Sequence, residues 1–282
     1  MNGGNEFYSV DEIRQRLSSS TIVFWQYRPI CEDSLGELAR AGIRKIELLE
    51  SREQFDMADA SSMKWIGKVC KSCGVEVVAY HAHQTDFEDI QTESQRIERV
   101  DFCRRQIDRM LELGGKAWGP HGNATDSKVV KSYRELARHV DRTDAIIMIE
   151  NFGIENSTVA KRMEFLNEID HPQVKMILDI GHVRNSDGQN PITIPGGPSR
   201  ILEMCGKRLG HLHLHGFKNG QDHFPPFVPG DGIQWVELFR KLYEINYPGL
   251  FNFESMGESV HPEALAVVGG APERIVEMEA AQ

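Results

Sequence analysis

Long hydrophobic runs, nucleotide motifs, a basic surplus and paired cysteine clusters are all missing from this chain of 282 residues. No stretch approaches the roughly 18 apolar residues that a membrane-crossing helix needs. Met1 to Asp11 is polar and acidic with no apolar centre, so no secretory signal and a cytoplasmic location are expected. Neither GxGxxG nor GxxxxGK[ST] occurs, which removes the usual phosphate cradles, and no organic cofactor is expected. Thirty-two basic against forty-two acidic residues leave a formal charge of −10. That balance disfavours nucleic acid as a partner, because non-specific binding to it needs a basic face. The five cysteines are Cys31, Cys70, Cys73, Cys103 and Cys205, an odd number suited to free thiols in a reducing compartment. Cys70 and Cys73 form a CxxC without a second pair, inside a helical stretch, and read as half-buried helix thiols.

Two periodicities alternate along the chain. Strand-length apolar runs are Thr21–Tyr27, Ile43–Leu49, Val75–His81, Lys116–His121, Ala145–Glu150, Lys175–Asp179, Gly210–His215 and Leu250–Glu254. Helical stretches separate them near Asp33–Ala41, Ala60–Cys73, Gln91–Leu113, Ser127–Arg142, Ser157–Ile169, Ser199–Lys207, Ile233–Ile245 and Pro262–Ala280. Eight strands in strict alternation with eight helices predict parallel strands and right-handed crossovers closing into a single-domain (β/α)8 TIM barrel. The barrel is expected over 21–282, behind an N-terminal extension at 1–20. Gly42, Gly74 and Gly114–Gly115 end helices as residues suited to positive φ, and Asp126–Ser127 and Asn156–Ser157 offer N-caps. Two connections on the strand C-terminal side are long, Arg184–Pro198 and Gly216–Gly232, and read as functional lids.

The chemistry lies at or just beyond the ends of the second to eighth strands. Glu47, His81, His83, His121, Glu150, Asp179, His182, His213, His215 and Glu254 all fall there. In a barrel these ends converge, and so many ionisable groups are costly to bury together unless they pair or bind a cation. Glu150 ends Ala-Ile-Ile-Met-Ile, Asp179 ends Lys-Met-Ile-Leu and Glu254 ends Leu-Phe-Asn-Phe. A carboxylate closing three apolar strands marks a site rather than a solvated rim. Period-two alternation in His211-Leu212-His213-Leu214-His215 turns the three histidines inward. His211 then lies deepest as a hydrogen-bonded core residue, His213 is the best-placed ligand, and His215 sits at the rim. His139, His171 and His261 fall away from that face, whereas His223, beside Asp222, either closes over the site or is solvated. Carboxylates with one imidazole suit Mn²⁺, Mg²⁺ or Co²⁺, with Zn²⁺ possible if more histidines join.

The segments IENFG, LDIGH, GHLHLHG, PGDGIQW and FNFES resemble the xylose isomerase-like barrels, which include sugar isomerases and epimerases and endonuclease IV. The likeness runs from about Ile22 to Met278. It implies Glu150, Asp179, His213 and Glu254 as ligands of one divalent ion, with Glu150 and Glu254 as an acid/base pair on opposite faces of a carbohydrate substrate. It further implies proton movement next to a carbonyl through a metal-stabilised enediolate, and His182 on substrate oxygens. His83, His121, His215 and Lys218 complete the expected substrate-binding set. A second copy of the chain is a candidate partner, since barrels of this type associate through loops and outer helices. Gly216 stands where the family often carries an acid, and no arginine lies between it and Trp235. The alternative is an endonuclease IV-like phosphodiesterase on abasic DNA, for which His83, His121, Asp222 and His223 would serve additional metals. A keto-sugar or polyol dehydratase is a further option on the same scaffold.

Overall fold

The computed structural model describes residues 7–25, 28–50, 54–55, 57, 59–82, 87–122, 125–152, 159–257 and 261–282. Alternation within the strands creates two cores. In β5 (Ile146–Glu150), Ile147 and Ile149 point outward into the large core beneath the helices, while Met148 points into the barrel. The helices supply the matching stripe. In α5 (Ser127–Val140), Val129, Val130, Tyr133, Leu136, Ala137 and Val140 are buried at helical spacing, and Asp126 accepts hydrogen bonds from the amides of Lys128 and Val129.

The other barrel strands are β1 (Leu17–Ser20), β2 (Lys45–Leu49), β3 (Glu76–Ala82), β4 (Ala117–Pro120), β6 (Val174–Asp179), β7 (Leu209–His213) and β10 (Phe251–Phe253). All neighbours pair in parallel in the order β10-β1-β2-β3-β4-β5-β6-β7. A parallel bridge between Leu214 and Phe253 joins the two ends of that order, and the barrel closes. Outside lie α1 (Val10–Arg16), α2 (Glu32–Arg40), α3 (Ala60–Cys73), α4 (Glu93–Glu112), α6 (Val159–Ile169), α7 (Gly197–Cys205) and α8 (Trp235–Glu244), with α9 (Ala264–Gly269) and α10 (Ala271–Ala280) last. Gly42, Gly74 and Gly114 take positive φ at helix ends, as expected. Among the described residues, no helix is long and apolar enough to cross a membrane. On α3 Cys73 is half-buried, as expected, but Cys70 is buried, and burial pushes its thiol up to about 12.

Three expectations are corrected. The first strand is Leu17–Ser20, not Thr21–Tyr27; Thr21–Phe24 winds into a 3-10 turn. The serines belong to the strand because the interior there is polar: Ser18 Oγ donates to Asn252 Oδ1 at 3.0 Å. Both α1 and β1 therefore occupy part of the stretch read as an extension. The connection Gly216–Gly232 is not wholly irregular, for β8 (Gly216–Lys218) and β9 (Gln221–Phe224) form an antiparallel hairpin. Its two-residue turn, Asn219–Gly220, has φ of 54° and 80°, the left-handed pair that such a turn requires. The final helix is two helices, parted at Gly270. Tyr27, His83, Asn156 and Ser157 lie outside the described residues.

Candidate metal centre

The apolar strands deliver their terminal polar residues to one buried cluster. Glu150, Asp179, His213 and Glu254 each offer one ligand atom, and those four atoms lie within 4.8 Å of one another. Glu150 ends β5, Asp179 ends β6, His213 ends β7 and Glu254 follows β10. His213 Nδ1 stands 2.8 Å from Glu254 Oε2, 3.7 Å from Glu150 Oε1 and 3.8 Å from Asp179 Oδ2. That nitrogen is fully buried and makes no hydrogen bond. A proton or a cation has to stand between it and three carboxylates, because an uncompensated buried cluster of this kind is costly. Three carboxylate oxygens and an imidazole nitrogen fit a divalent ion of the harder kind.

Local structure fixes each ligand. Asp179 Oδ1 accepts the backbone N–H groups of Gly181 and His182 at 2.8 and 2.9 Å and lies 3.0 Å from His215 Nε2. Its other oxygen is left facing the cluster. Asn151 clamps β5 to β6 by donating to Asp179 O at 2.9 Å and accepting from Asp179 N at 2.7 Å. Gly181 has to be glycine, since a Cβ there would sit 2.1 Å from His215 Cε1. Glu150 Oε1 contacts His182 Nδ1 at 2.9 Å, and Oε2 lies 3.0 Å from His121 Nε2 and 3.5 Å from His81 Nε2.

Electrostatics follow from this packing. Burial alone would raise all three carboxyls, but the histidines outweigh it. His121 holds Glu150, His182 and His215 hold Asp179, and His213 holds Glu254 below the usual carboxylate range. The reciprocal effect overcomes burial at His213, which is pushed well above the usual imidazole value by Glu254 and Glu47. His182 rises to about 10 against its burial because Asp179 and Glu150 face it. His81, buried beside His121, falls to about 4.

Of the expected substrate-contacting residues, His182 and His121 line the cluster, and Phe152 stacks on the His121 ring at 4.4 Å. His83 lies outside the described residues. Lys218 sits on the hairpin, where its side chain runs past Gly230. His215 is not at the rim but fully buried, because the hairpin folds over it and His223 N donates to its Nδ1 at 3.0 Å. His223 closes over the site: its Nδ1 donates to Glu254 O at 2.8 Å. His211 is the deep core residue the alternation implies, 2.9 Å from Glu47. His139 and His171 pair instead with Asp108 and Asp141 on the outside. Sequence reasoning missed Asp231 of PGDGIQW. Its carboxylate accepts from the amides of Phe217, Phe227 and Ile233 and from Trp235 Nε1 at 2.7–3.1 Å. It organises the loop that carries the hairpin.

Fold and site together define a β/α barrel with a buried carboxylate–imidazole cluster at its strand ends. The chain belongs to the Xylose isomerase-like TIM barrel family, whose profile matches residues 35–272. D-psicose 3-epimerase of Ruminiclostridium cellulolyticum is 30% identical over 164 residues, which are 54% of this chain and 50% of that protein. The chain thus spans about half the length of the curated relatives it matches, or less. Among solved structures, a xylose isomerase-like TIM barrel protein from Mycobacterium smegmatis in complex with magnesium superposes with a TM-score of 0.72 at 14% identity, covering 97% of this chain and 99% of that one. The 3-keto-D-glucoside 4-epimerase of E. coli gives 0.70 at 16% identity, covering 92% and 98%. At such identities the likeness shows the shared fold.

Proposed function

We propose that this chain is a divalent-metal-dependent isomerase or epimerase acting on a small carbohydrate. The observation that carries the reading is the convergence of Glu150, Asp179, His213 and Glu254 on one buried point. The epimerase identity of the relative from R. cellulolyticum supports it. A bound Mn²⁺, Mg²⁺ or Co²⁺ ion would polarise a substrate carbonyl and offset charge developing on the adjacent oxygen. The protein supplies the rest. Glu150 and Glu254 come from positions three strands apart around the barrel, so they approach the cluster from different sides. Held ionised by histidines, each can take a proton from a carbon between them, and either can return it from its own side. His182, positively charged and fixed by Glu150 and Asp179, is placed to donate to a substrate oxygen. Phe152, with His223 and the hairpin, covers the centre and limits water.

The test is solvent deuterium exchange into candidate ketoses by Mn²⁺-loaded protein. Incorporation at the carbon beside the carbonyl is expected, and its absence across ketoses sinks the proton-transfer reading. A second reading, the phosphodiesterase, is favoured by two further groups beside the first: His81–His121–Glu150 and Asp179–His182–His223. Cleavage of an abasic oligonucleotide, together with two or three zinc ions per chain, would decide for it.

A further inference from the structure

Glu47 is on β2, outside the ligand set, yet its side chain is wholly buried beneath His213. Three side chains from two other strands close on its carboxylate. His213 Nε2 is 3.2 Å from Oε1 and 3.4 Å from Oε2, and His211 Nε2 is 2.9 Å from Oε2. Asn252 Nδ2 donates to Oε1 at 3.2 Å. The direction of that amide is itself set, because its Oδ1 accepts from Ser18 Oγ at 3.0 Å. Ser18 lies on β1, Asn252 on β10, and both histidines on β7.

Such a network costs free energy to bury, and an apolar residue of similar volume would fill the space more cheaply. Its consequence for His213 is specific. A neutral imidazole presents a lone pair at one nitrogen only when the other carries the proton. A carboxylate can only accept, so Glu47 against Nε2 keeps a proton there; when a cation takes the place of the proton on Nδ1, the lone pair of that nitrogen is turned to it alongside Glu150, Asp179 and Glu254. The ring plane is fixed by the same contact.

We propose that Glu47 is a positioning residue of the metal centre, locking His213 as its Nε2–H tautomer and thereby setting the affinity of the four-ligand cluster for a divalent ion. Asn252, His211 and Ser18 hold the carboxylate in register. This rests on the reading that Glu150, Asp179, His213 and Glu254 bind a metal, and the experiment separates the two.

Chelator-stripped protein is titrated with Mn²⁺ alone, and free ion is read by its paramagnetic resonance signal. Wild-type protein is expected to bind; no binding by wild type overturns the metal reading and this inference with it. Glu47→Gln retains the shape but can turn an amide N–H toward Nε2, and is expected to weaken Mn²⁺ binding about 10- to 100-fold. Binding by Glu47→Gln within about twofold of a wild type that does bind overturns the positioning role and leaves the metal reading standing. Asn252→Ala removes one donor from the carboxylate and is expected to weaken binding in the same direction by a smaller factor; unchanged affinity counts against the network. Met148→Leu, inside the barrel on the opposite side, is expected to leave affinity unchanged. A loss as large as that of Glu47→Gln would assign the effect to general packing and overturn the proposal. Should Glu47→Gln fail to fold, nitrogen NMR of Mg²⁺-loaded wild type decides: a proton on His213 Nε2 is expected, and a proton on Nδ1 overturns the lock.

Discussion

Inside the barrel, beneath the candidate metal centre, two halves built by the same alternation carry opposite chemistry. Strands β3 to β6 send in Ala79, Ala117, Met148 and Ile177, a small apolar cluster of its own. Strands β10, β1, β2 and β7 send in Asn252, Ser18, Glu47 and His211, all buried and joined by hydrogen bonds and an ion pair. The apolar side is close-packed enough that a Cβ on Gly119 would meet Ile177 at 2.7 Å and Met148 at 3.0 Å. It needs no purpose beyond filling the barrel. The polar side does, since packing alone would favour aliphatic residues there. It underlies His213 and includes Asn252, two residues before Glu254, so what it supplies is orientation. Stability and positioning are thus carried by different sectors of one barrel.

The two sectors meet at the centre itself, and the largest expected effect comes from breaking it there. Glu150 ends β5, on the apolar side, and reaches across to ligands held by the polar side. Glu150→Gln keeps the volume but removes both the charge and the proton acceptor. Turnover, followed by deuterium exchange, is expected to fall about 10²- to 10⁴-fold, with the circular dichroism of the chelated protein unchanged. Full activity in this variant would remove Glu150 from proton transfer.

Next comes a change confined to the apolar sector. Met148 is fully buried inside the barrel, so Met148→Ala opens a cavity and is expected to cost about 2–5 kcal/mol in denaturant unfolding of the metal-free protein. Its Mn²⁺ affinity is expected to stay within about twofold of wild type, because none of the ligand-orienting contacts passes through it. A matching loss of affinity would show that the two sectors are not separable.

What could be read from the sequence follows the same division. A carboxylate at the end of an apolar run interrupts a pattern, so Glu150, Asp179 and Glu254 stand out, and period two alone turns His213 inward beside them. Contacts made across strands leave no such mark. Nothing local distinguishes Glu47 as the partner of His213, a residue 166 positions away, or reveals that Gly181 is required by the ring of His215. Ser18, Ser19 and Ser20 look like a polar lead-in because strand patterns are sought among apolar residues, and only the polar interior makes them a strand. The hairpin was legible in principle. Asn219–Gly220 is the strongest short signal for a two-residue turn, and it would have buried His215 instead of leaving it at the rim.

The smallest effect tests the polar sector with protons instead of mutations. No side chain of the apolar cluster titrates, so acid acts on the interior through the other side and the ligands above it. Burial opposes charge on His213, but Glu254 and Glu47 outweigh it and keep its value well above the ordinary imidazole range. The three carboxylates are displaced the other way and stay ionised down to mildly acidic pH. At neutral pH the metal-free centre therefore holds a proton on His213 that an entering cation must displace. The sign follows: affinity rises with pH, by about tenfold per unit while that proton remains bound, and levels off once the pH exceeds the raised value. Mn²⁺ titrations between about pH 6 and pH 8, with the protons released counted by calorimetry in buffers of different ionisation enthalpy, should give a slope near one. A flat profile would mean that His213 is already neutral without the ion, and that the carboxylates around it, Glu47 included, do not hold its charge.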